Sequence, residues 1–280
     1  MKLKLKLVAA VAALISGSAA YADPFYLDVG TNYDSVNAPN NSKVCNTCTS
    51  IKDEFNIRYQ SETTIGAGGA TSTVAGLALT GLNAAALSTN GFTQLTPTAV
   101  FGNPSNNGFN SAYYISFGVT GLTGQVTGFY GSGLPEISYN AGGTIDFYIT
   151  FDGVNFTNFM DIAITGGQSD GNGTGLTGVI NFDNVTNLTY ANLFHSTTGS
   201  CGGSSGYYDI VSGCSSSLYI TLNSHFDTTT ASINPGGTLV TGIHDGSGTF
   251  DVNRVPEPAS LALVGAGLLG AGIARRRKTA

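Results

Sequence analysis

The stretch Gly202-Gly203-Ser204-Ser205-Gly206 fits G-x-S-x-G, the pattern that presents a nucleophilic serine, and Asp227 and His244 follow it in hydrolase order. That chemistry requires a strand to deliver the serine onto a sharp turn and a helix to leave it. Here the turn is flanked by Cys201 and Cys214 and followed by Tyr207-Tyr208-Asp209-Ile210-Val211, which reads as a strand. The pattern therefore reads as a glycine-serine loop, and no catalytic residue is assigned. Gly173 to Gly178 and Gly265 to Gly270 both fit G-x-G-x-x-G, yet neither follows a strand and opens a helix within a βαβ unit, so neither is a nucleotide site.

Metal chemistry has two candidates. His195, His225 and His244 could gather around a metal with Asp227 and Asp245, but no two of the histidines share a short ligand spacing, which argues against a transition-metal centre. Asp170-Gly171-Asn172-Gly173-Thr174-Gly175 places oxygen-bearing side chains at alternate positions and a glycine at the sixth, as a calcium loop does. Its twelfth position is Asn181 where such loops carry a bidentate glutamate, so Asp170, Asn172 and Thr174 make a weak calcium candidate beside the plain-turn reading. No other cofactor is expected.

All four cysteines lie between Asp23 and Val252. In an oxidising compartment an even count points to disulfides; three connectivities are open, and spacing favours the local pairs Cys45 with Cys48 and Cys201 with Cys214. A redox role for Cys45-Asn46-Thr47-Cys48 would need a βαβ setting, and a zinc role a second close pair; both are missing.

These residues must be positioned by strands. Gly, Ser, Thr and Asn dominate while Lys, Glu and Leu are scarce, the reverse of a helical surface. Ile145, Phe147, Ile149 and Phe151 alternate with Asp146, Tyr148 and Thr150; Tyr113, Ile115, Phe117 and Val119 repeat the pattern, as do Leu218, Ile220 and Leu222. Further strands are predicted at Phe25–Val29, Glu54–Tyr59, Asp161–Thr165, Gly178–Phe182, Asn187–Phe194 and Thr249–Val252, with polar turns between them. Within this region the best helix candidate is Leu82–Ser88, and Gly66–Gly81 reads as a strand or a loop. Many short strands without a long amphipathic helix predict an all-β fold, an antiparallel sandwich of two sheets.

Between Asp23 and Val252 three cations, Lys43, Lys52 and Arg58, face sixteen carboxylates, a balance of −13 that the −6 of the whole chain conceals. Phosphate neutralisation has no residues to work with, so nucleic acid is excluded as a partner. An acidic surface attracts cations.

The two ends have a different character. Lys2, Lys4 and Lys6, the apolar run Leu7–Ile15 and Ala20-Tyr21-Ala22 make a secretory signal over residues 1–22, leaving a β-rich domain over 23–252. At the other end, 253–280, Pro256-Glu257-Pro258 precedes an apolar run from Ala259 to Ala274 and the cluster Arg275-Arg276-Arg277-Lys278. As a helix of about 16 residues the run spans roughly 24 Å, short of the roughly 30 Å hydrocarbon core, which suits a temporary transmembrane anchor better than a permanent one.

The order of these three tail features resembles the PEP-CTERM proteins of exopolysaccharide-producing Gram-negative bacteria. Asp23-Pro24-Phe25-Tyr26-Leu27-Asp28-Val29-Gly30 together with Cys45-x-x-Cys48 resembles the flocculation-associated members of that group. The resemblance implies a sorting signal read and cut by an exosortase-type membrane protease, transient inner-membrane anchoring, and delivery to the cell surface or extracellular matrix. It also implies a non-enzymatic structural or adhesion protein that promotes flocculation or biofilm formation, with extracellular polysaccharide as its partner. The alternative is a lectin-like carbohydrate-binding module, with Tyr113-Tyr114 and Tyr207-Tyr208 as candidate stacking aromatics in a chain that lacks Trp.

Overall fold

The computed structural model describes residues 22–34, 42–97, 105–131, 133–227 and 229–252. Apart from Ala22, the predicted export signal lies outside the described residues, as does the apolar helix predicted for 253–280. The described chain is all-β, as its composition predicts. Its strands are β1 (Phe25–Leu27), β2 (Glu54–Ile65), β3 (Ala70–Gly76), β4 (Gly91–Thr96), β5 (Tyr114–Phe129), β6 (Pro135–Tyr139) and β7 (Thr144–Thr150). They continue with β8 (Thr157–Ser169), β9 (Gly173–Asn181), β10 (Phe194–Ser196), β11 (Leu218–Phe226), β12 (Ser232–Ile233) and β13 (Leu239–Val252).

The sandwich prediction is corrected to a closed barrel. β13 pairs with β11 through its second half and with β2 through its first, so the sheet returns on itself; eight antiparallel strands form the barrel, with extra strands beside it. The order round the ring is β2, β3, β5, β7, β8, β9, β11, β13. β6 and β7 lie end to end in the slot between the long strands β5 and β8, because each pairs with a different half of both. Closure removes the edge strands that open sheets would expose.

Alternation explains what fills the barrel. Ile145, Phe147 and Ile149 on β7, Ile115, Phe117 and Val119 on β5, and Leu218, Ile220 and Leu222 on β11 all point inward and are buried. Phe151, the fourth member of the β7 series, lies past the strand end and is exposed. One end of the barrel is plugged by the two-stranded β1–β10 sheet and the 201–214 loop. There Phe25, Phe194 and Tyr207 each meet Phe250 with ring centroids 5.1–5.2 Å apart. The N-terminal segment is thus core: Phe25 and Leu27 are fully buried, and Asp23 donates its N–H to the Phe250 carbonyl at 2.8 Å.

Several local expectations change. Tyr207–Val211 is not a strand: the chain turns helically over Asp209–Gly213, with Ile210 N–H bonded to the Gly206 carbonyl, inside the loop closed by the Cys201–Cys214 disulfide. Asn187–Phe194 holds a short 3₁₀ turn, Leu188–Tyr190, ahead of β10. The helix candidate is a 3₁₀ turn at Ala84–Ser88, capped by the Asn83 side chain accepting from Ala86 N–H. Both local cysteine pairs are disulfides, Cys45–Cys48 and Cys201–Cys214.

Candidate functional site

At the barrel end opposite the aromatic plug, strands β8, β9 and β11 turn an open groove of about 250 Å³ outward. The β8–β9 turn forms its rim because Asp170 Oδ1 accepts the N–H groups of Asn172 at 2.9 Å and Gly173 at 2.8 Å, which also holds the Asp170 carboxyl below its ordinary range. Gly171 is required at φ +77°, where a Cβ would collide with Tyr130 on the β5–β6 turn. The Asn172 carbonyl accepts the Phe226 N–H at 2.8 Å, tying the rim to β11. Gln168, Asp170, Asn172, Asn223 and His225 present exposed polar side chains, and Gly173 and Gly175 leave the floor bare. The predicted calcium residues therefore divide: Asp170 and Asn172 stand on the rim, with one Asp170 oxygen engaged by backbone, while Thr174 is buried.

The hydrolase pattern is taken apart by the fold. Ser204 gives its hydroxyl proton to Asp209, not to a histidine. Its neighbour Ser205 instead meets His195 Nδ1 at 3.1 Å and the Tyr26 hydroxyl at 2.9 Å, with the Tyr26 and His195 rings stacked at 4.8 Å. Burial lowers the His195 pKa, opposed by the nearby charges of Asp28 and Asp209. His244 is far from this loop in the pairing scheme. It faces the barrel interior, where Nε2 meets Ser61 Oγ at 2.7 Å and its ring stacks on Tyr59 at 4.5 Å. Burial pushes His244 down to about 4, so it is neutral at ordinary pH.

This Ser61–His244 pair was missed in the sequence, although parity marks it: His244 shares its strand face with Val240, Gly248 and Phe250. His244 Nδ1 has no side-chain or backbone partner to orient the ring, and the adjoining cavity of about 30 Å³ has room for only one or two waters. The three histidines do not gather: His195 is on β10, His244 is inside the barrel, and His225 is outside, opposite Asp245, which faces Arg58 at 3.7 Å. Asp28 approaches Cys45 and Cys48 closely enough for a metal, but the disulfide occupies both sulfurs. Of the candidate stacking aromatics, Tyr113 and Tyr207 are fully buried, while Tyr114 and Tyr208 are partly exposed. The exposed rings at the groove end are Phe129 and Tyr130.

Strand pairing also brings together a carboxyl pair, Asp146 on β7 and Asp161 on β8. Asp146 stands directly opposite Asp161, which is buried and accepts from Asn158 Nδ2 at 2.8 Å and Asn184 N–H at 3.1 Å. Burial first, then the Asp161 charge and a proton shared with it, raise Asp146 to about 6. The native state thus holds a proton between pH 4 and 6 that the unfolded chain releases, so this pair's contribution to stability falls as pH rises through that window. Asp146→Asn is expected to raise stability at pH 7.5 by about 1 kcal/mol, after discounting for partial solvent exposure, and by nothing at pH 4. Thermal unfolding against pH checks this; parallel curves for variant and parent would reject the shared proton.

The described residues thus form a disulfide-linked acidic barrel with a polar groove at one end. Among them no helix is long and apolar enough to cross a membrane. Beyond them, residues 254–278 match the PEP-CTERM protein-sorting motif. That motif implies an exosortase-processed protein exported to the cell surface or beyond. No curated protein and no solved structure matches the chain.

Proposed function

We propose that this protein is a non-enzymatic structural component of the extracellular polymer matrix, which promotes flocculation or biofilm formation by holding extracellular polysaccharide in the groove at the barrel end. The sorting motif at 254–278 carries the reading, because it directs the domain to where such polymer is made. The groove supports the choice of partner. Its amides, carboxylate and imidazole offer both donors and acceptors to sugar hydroxyls. At about 250 Å³ it is smaller than the roughly 300–1,000 Å³ of pockets that enclose whole small molecules, which suits one unit of a chain lying across it. The non-enzymatic reading is supported by the Ser61–His244 pair having no room for a substrate.

Gln168→Ala with Asn223→Ala and His225→Ala changes only outward side chains of the groove. The triple variant is expected to lose about tenfold or more in retention on the host's purified exopolysaccharide, since each lost hydrogen bond is worth about 0.5–1.5 kcal/mol. Its melting temperature should be unchanged. Retention equal to the parent's would remove the groove as the polymer site, while cell sedimentation with the gene deleted tests the matrix role by itself. Calcium is proposed only as an aid to polymer contact at Asp170 and Asn172, and retention in chelator against millimolar calcium measures it.

A further inference from the structure

Of the three cations in the described chain, Lys43 meets Asp34 at 2.8 Å and Arg58 meets Asp245 at 3.7 Å. Lys52 differs. It is fully buried, and its Nζ donates to two uncharged oxygens, Asn106 Oδ1 at 2.6 Å and the Pro97 carbonyl at 3.0 Å. Among the described residues it makes no ion pair. The Lys52 backbone is held to β1 by reciprocal bonds with Phe25, N–H to carbonyl at 2.8 and 2.7 Å. Asn106 is held from the other side: Ser105 carbonyl accepts Ser50 N–H at 2.9 Å, and Asn107 Nδ2 donates to the Thr31 and Thr47 carbonyls at 2.8 and 2.6 Å.

An ammonium buried against neutral partners is disfavoured relative to the free amine. Burial, opposed by the nearby Asp53 charge, accordingly lowers Lys52 to about 8, so a useful fraction is unprotonated in mildly alkaline water. Holding the amine nitrogen within hydrogen-bond reach of the amide keeps the nucleophile beside its electrophile, which removes much of the entropic barrier of the bimolecular reaction.

We propose that Lys52 and Asn106 are the two halves of an intramolecular isopeptide bond. The Nζ lone pair attacks Asn106 Cγ and forms a C–N bond. The Nζ proton passes to the amide nitrogen, and the tetrahedral adduct collapses with cleavage of the original C–N bond. Ammonia leaves, and the new amide joins the two side chains. Atoms balance without an oxidant or cofactor. The link ties the residue that precedes β2 to the segment that leads into β5, far apart in sequence, and unlike the two disulfides it survives reductants.

Intact-mass analysis of the exported, folded protein, followed by proteolysis, tests this on the parent chain. The expected mass is one ammonia below that of the disulfide-bonded chain, with trypsin failing to cut after Lys52 and a branched peptide joining the Lys52 and Asn106 segments. Lys52→Arg and Asn106→Ala should each abolish the branch and melt roughly 5–10 °C lower than the parent. Asn106→Asp should restore the same branch by losing water in place of ammonia. Separate Lys52 and Asn106 peptides from parent protein held in alkaline buffer would overturn the proposal. So would an ammonia loss traced to a succinimide at Asn107-Gly108, which leaves the peptides unbranched.

Discussion

Phe55→Ala is expected to lower the melting temperature by about 8–15 °C, the largest stability loss of any single aromatic truncation here, because removing a buried Phe costs about 3–5 kcal/mol and each kcal/mol is worth roughly 2–4 °C at this chain length. Phe55 is fully buried on β2 where β2 closes the ring against β13. It stacks on Phe92 at 4.2 Å and touches Phe25, Phe147 and Phe250, so one ring joins the N-terminal plug, the barrel wall and the closing strand. Its register partner is Gly248, and a Cβ there would lie 2.1 Å from the Phe55 ring. The glycine leaves the space that the ring fills, and truncation would open a cavity with no side chain opposite to collapse into it. Phe129→Ala is the control: with 68% of its surface exposed it should change stability by less than about 0.5 kcal/mol. Melting followed by circular dichroism with disulfides intact decides the matter, and equal losses for the two variants would refute this account of closure.

Glu257→Ala is expected to block release and leave the protein in the membrane fraction, a change from nearly all processed to nearly none. The substitution leaves the apolar run Ala259–Ala274 and the Arg275–Lys278 cluster untouched, so anchoring persists while the Pro-Glu-Pro signal within the matched motif is spoiled. Replacing Arg275, Arg276, Arg277 and Lys278 with serine acts differently. Juxtamembrane cations contribute about 1 kcal/mol each near an anionic leaflet, so their loss should weaken retention before cleavage. The mature extracellular protein should end ahead of about Ala259, with Glu257 variants accumulating uncut. Mass spectrometry of secreted protein reads the terminus directly, and recovery of Arg275–Lys278 still attached would contradict processing.

Both predictions trace back to different kinds of information. The tail is legible because its signal is a linear order of features, a proline turn, an apolar run and four adjacent cations, which needs no tertiary partner. The disulfides were legible for a related reason, since separations of 3 and 13 residues keep each pair together through local chain geometry. Period-two alternation likewise identified β5, β7 and β11 and told which of their side chains face inward, because the pleat alone sets that parity.

Pairing over long separations is another matter. Alternation assigns a face to Phe55 and to Phe250 but no neighbour, so two sheets face to face and one sheet closed on itself have the same pattern; the β2–β13 ladder chose between them. The same ladder brought Ser61 to His244 across 183 residues, and packing of the 201–214 loop against Phe194 and Phe250 buried Tyr207, which sequence alone offers as sugar-stacking surface. Tyr207–Val211 turned helically because the short disulfide loop and the Asn192–Asp209 contact outweighed local β propensity. In the sequence Lys52 is one of three cations between Asp23 and Val252, and only the β1 strand laid across it, with Pro97 and Asn106 converging from another part of the chain, makes it a buried amine facing an amide. Sequence by itself therefore determined the C-terminal sorting motif, the β class, the local cross-links and the inward faces. Tertiary structure decided closure, the burial of Tyr113 and Tyr207 and every contact between residues distant in the chain, because those depend on register and twist that no local pattern encodes.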